Sequence, residues 1–373
     1  MIDHRKSGRK TCRGCKSEAV VASELGYCRE CLVRKRPGIE SEIRAAHERG
    51  RAPYGLPTRP PDAADGSPCT LCVNRCRIPE GGTGYCGVRS NEGGRLISPG
   101  GPTAGFVDWY HDLLPTNCVA DWVCPGGSPA GFPKYSYSES PEHGYKNLAV
   151  FYHACTFDCL YCQNWHFKKT LDTARPVGAD ALAAAVDERT SCICYFGGDP
   201  APQLAHALEA SRIAREKHAG RILRICFETN GSMSPVRLEP AASLAMESGG
   251  CIKFDLKAFD PTLHIALTGS ENRYTLENFK RLGARVRERP DPPFLIASTL
   301  LVPGYVEQEE VRAIARFIAS VDPGVPYTLL AFSPHFLMRD LPLVSAGAAA
   351  AAERAARQEG LERVRIGNVR LLD

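Results

Sequence analysis

The sequence predicts an α/β fold: a partial, TIM-like (β/α)6 barrel preceded by cysteine-rich metal-binding modules. Three observations carry this expectation. From residue 147 onward, short apolar runs alternate with amphipathic helical stretches, the pattern of a parallel sheet with helical crossovers. Six such runs are legible, fewer than the eight of a closed barrel. The 17 cysteines gather in short motifs, most of them ahead of this region or at its start.

Composition narrows the class. A chain of 373 residues can hold one large catalytic domain and a smaller one. Hydrophobic residues make up 43% and charged residues 24%, as in ordinary globular proteins. No run approaches the roughly 18 apolar residues of a membrane span, so no membrane partner is expected. The opening MIDHRKSGRKTC has no apolar signal core, which makes the cytoplasm the expected location. Thiols stay reduced there, so metal or cluster ligation accounts for the cysteines better than disulfides. Net charge is +4, but residues 1–36 hold ten Lys/Arg against four Asp/Glu. This basic head reads as a solvated segment, with contact to nucleic acid or an acidic partner as the alternative.

The expected organisation follows the texture of the chain. Residues 1–36 form a four-cysteine, zinc-ribbon-like module. Residues 37–66 form a linker whose first half can be a short helix and whose second half is rich in Pro, Gly and Asp. Residues 67–146 combine a second cysteine-rich module, to about residue 100, with ordered loops. Residues 147–373 form the barrel and a C-terminal extension. Its strands are expected at Asn147–Ala154, Cys192–Phe196, Arg224–Thr229, Cys251–Ala258, Phe294–Leu301 and Tyr327–Phe332. In such folds the chemistry sits at the C-terminal ends of the strands.

The strongest motif follows the first of these strands. Cys155, Cys159 and Cys162 lie in HACTFDCLYCQNW, with three and then two residues between them. Three thiolates on one loop can hold three irons of a [4Fe–4S] cube, which otherwise takes four cysteines, and one iron stays open for a small ligand. A zinc site borrowing a cysteine from elsewhere is the alternative. Later strand ends carry further polar groups. Gly197, Gly198 and Asp199 stand in CICYFGGDP, where glycines allow close backbone approach. Glu228, Thr229 and Asn230 end the Arg224 strand. Alternation puts Lys253, Asp255 and Lys257 on one face of KFDLKAF, where buried charges need a partner or a ligand. Asp255 and Lys257 can also simply pair with each other.

The three-cysteine loop resembles the signature of the radical S-adenosylmethionine (SAM) superfamily. The strand-end motifs are similar to its pyruvate formate-lyase activating enzyme-like branch, closest in look to the AmmeMemoRadiSam-system proteins. The resemblance spans about residues 147–370 and implies a radical SAM barrel. It implies a cluster on Cys155, Cys159 and Cys162, and SAM near Tyr161, Gly197, Gly198, Asp199, Thr229, Asn230, Asp255 and Lys257. It implies reductive cleavage of SAM to a 5′-deoxyadenosyl radical that abstracts hydrogen from a substrate. No flavin or NAD fingerprint, in which Gly-x-Gly-x-x-Gly follows a strand and opens a helix, is expected in the chain, so a ferredoxin or flavodoxin is the expected electron donor. The substrate is open: a small molecule, a peptide, an RNA or a partner protein. Two departures bear on it. Ser298 stands where activators of glycyl-radical enzymes carry an arginine, and Ser333, with His335 two residues on, where they carry a histidine. Activation of a glycyl-radical enzyme is therefore the second reading, and a zinc-stapled nucleic-acid or protein adaptor is the non-catalytic one.

Two quartets precede the barrel. Cys12, Cys15, Cys28 and Cys31 form paired Cys-x2-Cys turns suited to tetrahedral Zn2+. Cys69, Cys72, Cys76 and Cys86 suit zinc or an auxiliary cluster. Cys118 and Cys124 read as buried thiols, with extra ligands or a thiol near the site as the alternative. Cys192, Cys194, Cys226 and Cys251 read as core. Asp108, His111, Asp112, Asp121 and Trp122 read as loop decoration rather than as a cavity border.

Overall fold

The computed structural model describes residues 8–35, 38–171 and 173–373. Arg5, Lys6 and Arg36 of the basic head lie outside the described residues. The fold is built on one eight-stranded sheet. Its strands in chain order are β1 (Val107–Leu113), β2 (Lys146–Tyr152), β3 (Thr190–Gly197), β4 (Arg224–Thr229), β5 (Ile252–Asp255), β6 (Leu295–Leu300), β7 (Tyr327–Leu330) and β8 (Val364–Gly367). Spatial order equals chain order, and β1 and β8 are the two edges, so the barrel is open. Strands β2 to β8 run parallel, and β1 lies antiparallel to β2.

Strands β3 and β6 are apolar or small and almost wholly buried, as expected for parallel strands covered on both faces. The crossover helices have clear local signals. In Pro261–Thr268, Asp260 accepts from the Thr262 and Leu263 N–H groups at 2.9 and 2.8 Å, and Pro261 takes the first helical position. Ser345 caps Ala346–Gln358 in the same way. That last helix leads into β8.

Two expectations need correction here. The sheet has seven parallel strands rather than six, because Val364–Gly367 returns to pair with β7. Residues 101–146 are not loops alone, because Val107–Leu113 forms a seven-residue edge strand. The expected linker also contains a 13-residue helix, α1 (Ile39–Arg51). Ile39, Ile43, Ala46, His47, Gly50 and Arg51 are its buried residues, the stripe of an amphipathic helix packed against a core.

The first cysteine module is docked rather than tethered. Tyr305, in the loop after β6, accepts from the Ala22 N–H at 2.9 Å and donates to the Tyr27 carbonyl at 3.1 Å. Arg29 pairs with Glu309 and Glu310 at 2.8 and 2.9 Å. No helix among the described residues is long and apolar enough to cross a membrane.

Tyr305→Phe removes one hydroxyl and strands a buried donor and an acceptor of the module. A stability loss of about 1–3 kcal/mol is expected, and urea denaturation followed by tryptophan fluorescence measures it.

Candidate functional site

The carboxyl ends of β2 to β8 open onto one cavity of about 340 Å3. Cys155, Cys159 and Cys162 line it from the loop after β2, and Gly198 and Asp199 from the end of β3. Thr229 and Asn230 line it from β4, Asp255 and Lys257 from β5, and Tyr161 from the cysteine loop. These expected site residues therefore meet. Gly197 does not line the cavity.

The cysteine loop is fixed by its backbone and by one buried carboxylate. Asp158 N–H donates to the Thr268 carbonyl at 2.7 Å, Leu160 N–H to Leu267 at 3.0 Å, and Leu337 N–H to the Leu160 carbonyl at 2.9 Å. Asp158, between the first two cysteines, is fully buried. His47 Nδ1 lies 2.9 Å from one of its oxygens, Arg51 lies 3.7 Å from the other, and Lys168 is hydrogen-bonded to that second oxygen. Burial alone would raise its pKa, yet His47, Lys168 and Arg51 hold the carboxyl well below its usual range. His47 and Arg51 come from α1, so this helix clamps the cysteine loop.

Burial raises all three thiols, pushing Cys159 up to about 12. Lys257 acts against that shift at Cys159, and Lys168 and Lys257 do so at Cys162. The site thus places cations beside thiols that must deprotonate to ligate a metal.

The polar strand ends divide their work. Asp199 accepts from Thr229 Oγ1 at 3.0 Å and from the Asn230 and Ala201 N–H groups at 2.8 Å each. It ties β3 to β4 and keeps one acceptor position free on Oδ1. Burial outweighs these bonds and raises it to about 6. Asn230 spends its side chain on the cysteine loop, donating to Thr156 Oγ1 at 2.7 Å and approaching Cys155 Sγ at 3.7 Å. Gly197 and Gly198 are demanded by packing. A Cβ at Gly197 would lie 1.8 Å from the Phe151 ring, and one at Gly198 would lie 2.1 Å from the Tyr152 carbonyl oxygen, at a φ of +63°.

Asp255 and Lys257 do pair, but the pair is incomplete. Asp255 Oδ1 and the Tyr161 hydroxyl are buried, line the cavity and have no hydrogen-bond partner. Buried polar groups without partners at a cavity wall point to a polar ligand. Three thiols on one side and these orphaned oxygens with Lys257 on the other fit an iron–sulfur cluster carrying a zwitterionic ligand.

Sequence reasoning missed the opposite wall. Residues 114–124 fold over β7 and β8: Trp122 Nε1 donates to Thr328 Oγ1 at 3.1 Å, and Arg365 pairs with Asp121 at 2.6 Å. Asp121 and Trp122 line the cavity, which corrects their reading as decoration, and Cys118 lines it as well, in keeping with the alternative of a thiol near the site. Asp108 instead meets His153, and His111 meets the Ala185 carbonyl. Asp112, Cys124, Cys192, Cys194, Cys226 and Cys251 line a second cavity; Cys192, Cys194 and Cys251 are buried, as expected of core thiols, and Cys226 packs against the cluster that holds Cys251. Ser298 is buried against the Phe254 carbonyl, and His335 Nδ1 meets the Ser333 carbonyl. None of these three lines the first cavity.

The first quartet is also gathered. The ligand atoms of Cys12, Cys15, Cys28 and Cys31 lie within 4.8 Å of one another, near the edge of about 3.8 Å that four thiolates make around one zinc. Cys69, Cys72, Cys76 and Cys86 form a second knot, in which burial and then the other three thiols raise Cys72. This knot buttresses the site: Val73 N–H donates to Ser232 at 2.9 Å, and Asn74 donates to the Thr156 carbonyl at 2.7 Å.

Residues 149–318 match the radical SAM superfamily. The isethionate sulfite-lyase activating enzyme of Oleidesulfovibrio alaskensis is 33% identical over 141 residues, 38% of this chain and 41% of that protein. An uncharacterized protein of Methanocaldococcus jannaschii is 24% identical over 309 residues, 81% of each chain. A solved domain of pyruvate-formate lyase-activating enzyme from Bacteroides vulgatus aligns with a TM-score of 0.36 at 19% identity, over 47% of this chain and 98% of that domain. The chain spans between 41% and 59% of the isethionate sulfite-lyase activating enzymes it matches. The superfamily implies a [4Fe–4S] cluster and SAM.

Asp158→Ala leaves buried Lys168 and Arg51 without their counter-charge. Thermal and urea unfolding of the iron-free chain are expected to show a loss of about 3–5 kcal/mol. Gly198→Ala is expected to weaken SAM binding through displacement of the β3 end, read by calorimetry.

Proposed function

We propose that this chain, whose residues 149–318 match the radical SAM superfamily, is an enzyme that reductively cleaves SAM and abstracts hydrogen from a substrate held in the same cavity. The observation that carries this reading is the convergence of the three thiols of one loop and of unpartnered polar atoms on one cavity at the strand ends. When bound, the cluster and SAM supply one electron and a 5′-deoxyadenosyl radical, the hard chemistry that the protein fold itself cannot provide.

The chain's own residues bind and orient. Cys155, Cys159 and Cys162 hold the cluster, and Asp158 with its basic partners keeps their loop in register. Lys257 balances thiolate charge. Asp255 Oδ1 and the Tyr161 hydroxyl take up the ribose and adenine end of SAM. Asp199 offers its free acceptor position to the SAM ammonium, while Thr229 and Asn230 position Asp199 and the cysteine loop. The wall of residues 114–124 excludes water above β7 and β8. The first quartet holds Zn2+, and the second holds zinc or an auxiliary cluster. A ferredoxin or flavodoxin delivers the electron.

A second reading, activation of a glycyl-radical enzyme, draws on the names of the relatives. Ser298, Ser333 and His335 weigh against it, because none of them lines the cavity. Direct modification of a small molecule, peptide or RNA remains the favoured reading.

Anaerobically reconstituted protein is expected to form 5′-deoxyadenosine with SAM and dithionite, quantified by mass spectrometry. Cys159→Ala should abolish both this product and cluster absorbance, and full activity in that variant would overturn the assignment. SAM binding should also depend on pH. Asp199, raised to about 6, is ionised above that value and protonated below it. Affinity should therefore fall as pH drops from 7.5 to 5, and Asp199→Asn should remove this dependence.

A further inference from the structure

Two stretches of chain beside the cysteine loop hold residues that the cavity does not use. In QNWHFKK, directly after Cys162, Phe167 and Lys168 line the cavity but Trp165, His166 and Lys169 do not. In SPHFLMRD, after β7, neither Phe336 nor Arg339 lines it.

These residues meet in one patch. The Trp165 ring stacks on His166, with centroids 4.0 Å apart, and on Phe336 at 5.3 Å. Tyr54, in the turn directly after α1, adds a further ring at 6.3 Å. Phe336 holds its place at a φ of +49°, a conformation that bulky residues seldom take. Such strain persists only where the surroundings fix it. Here Lys168, which is hydrogen-bonded to Asp158, lies 4.4 Å over the Phe336 ring. Cations stand around the rings. Lys169 sets its ammonium 4.7 Å over Trp165, and Arg339 donates to the Phe336 carbonyl at 3.0 Å. Both are exposed, and neither has a carboxylate partner among the described residues; Asp172 lies outside those residues. The cysteine loop comes to the surface directly before Trp165, where Gln163 and Asn164 are exposed and line the cavity beside Cys162.

We propose that this face docks the acidic one-electron carrier that reduces the cluster. Aromatic anchors and arginine are enriched in protein interfaces, and a positive rim steers an acidic partner and excludes basic ones. Position decides between a carrier and a substrate. Hydrogen abstraction needs the substrate inside the cavity, whereas an electron can be passed to the Cys162 side of the cluster from outside. One electron moves from the reduced flavin or iron–sulfur centre of the carrier, which is oxidised, to the [4Fe–4S] cluster, which is reduced. No bond forms or breaks. The inference rests on the radical SAM reading and adds the surface through which the electron enters.

Calorimetry of the reconstituted protein with a flavodoxin and, separately, with a [4Fe–4S] ferredoxin tests it, at low and at high salt. Lys169→Glu/Arg339→Glu is expected to weaken binding of at least one carrier at least about tenfold and to flatten its salt dependence. Lys217→Glu/Lys280→Glu makes the same change of net charge at exposed positions of two outer helices, and should bind as wild type does. Binding of neither carrier to wild type, or an equal loss in both double variants, would overturn the proposal. Should the first reversal prevent cluster assembly, Lys169→Gln/Arg339→Gln gives the same test with a smaller loss. Dithionite-driven 5′-deoxyadenosine formation should be equal in all of these proteins. Its absence from wild type would overturn the SAM-cleavage reading, while carrier affinity would still report on the docking face.

Discussion

The buried carboxylate of Asp158 is the interaction on which the candidate site depends. It lies between two cysteines of the same loop and gathers His47, Arg51 and Lys168 into one fully enclosed cluster. A carboxylate so placed is tolerable only with its partners present, which ties three separate stretches of chain together. Helix Ile39–Arg51 must dock for the loop to hold its shape. The short helix after Cys162 must fold back to bring in Lys168. The end of helix Pro261–Thr268, at Leu267 and Thr268, must accept the loop's backbone N–H groups. The linker helix ahead of the barrel thereby becomes part of the site's support rather than an appendage.

A second constraint acts at the strand ends, where packing and ligand recognition share the same residues. Gly197 and Gly198 allow β3 to approach β2. Asp199 binds Thr229 and the Asn230 backbone, and Asn230 in turn holds Thr156 beside Cys155. The second cysteine knot then braces this loop through Val73 and Asn74. What remains unpartnered after this internal bonding is small and specific: one Asp255 oxygen and the Tyr161 hydroxyl. Cohesion of the walls and vacancy of a few polar positions are the two conditions a preorganised site requires.

Much of this was legible in the chain. Alternating strands and helices, and the polar residues closing each strand, predicted an open parallel barrel and one face for its chemistry. The parts that were not legible depend on distant contacts. Val107–Leu113 alternates only over its first residues, and its Asp and His residues resemble loop decoration until β2 is placed beside it. Val364–Gly367 is only four residues long and becomes a strand by pairing with β7. Cysteine is equally at home in a packed core and on a cavity wall, so Cys192, Cys194, Cys226 and Cys251 carried no local sign of the second cavity they line. Asp158 did carry one: a lone acid between two cysteines of a metal-type loop should be expected to find buried cations.

The claim most open to direct measurement is that the three-cysteine loop leaves one iron of its cluster open for SAM. Electron–nuclear double resonance on the reduced, reconstituted protein, with SAM labelled by 15N at its amino group and 17O at its carboxylate, reads that position. The account predicts hyperfine coupling from both labels and a change in the cluster's EPR signal on SAM addition. A fully assembled cluster whose signal ignores SAM and shows neither coupling would contradict it.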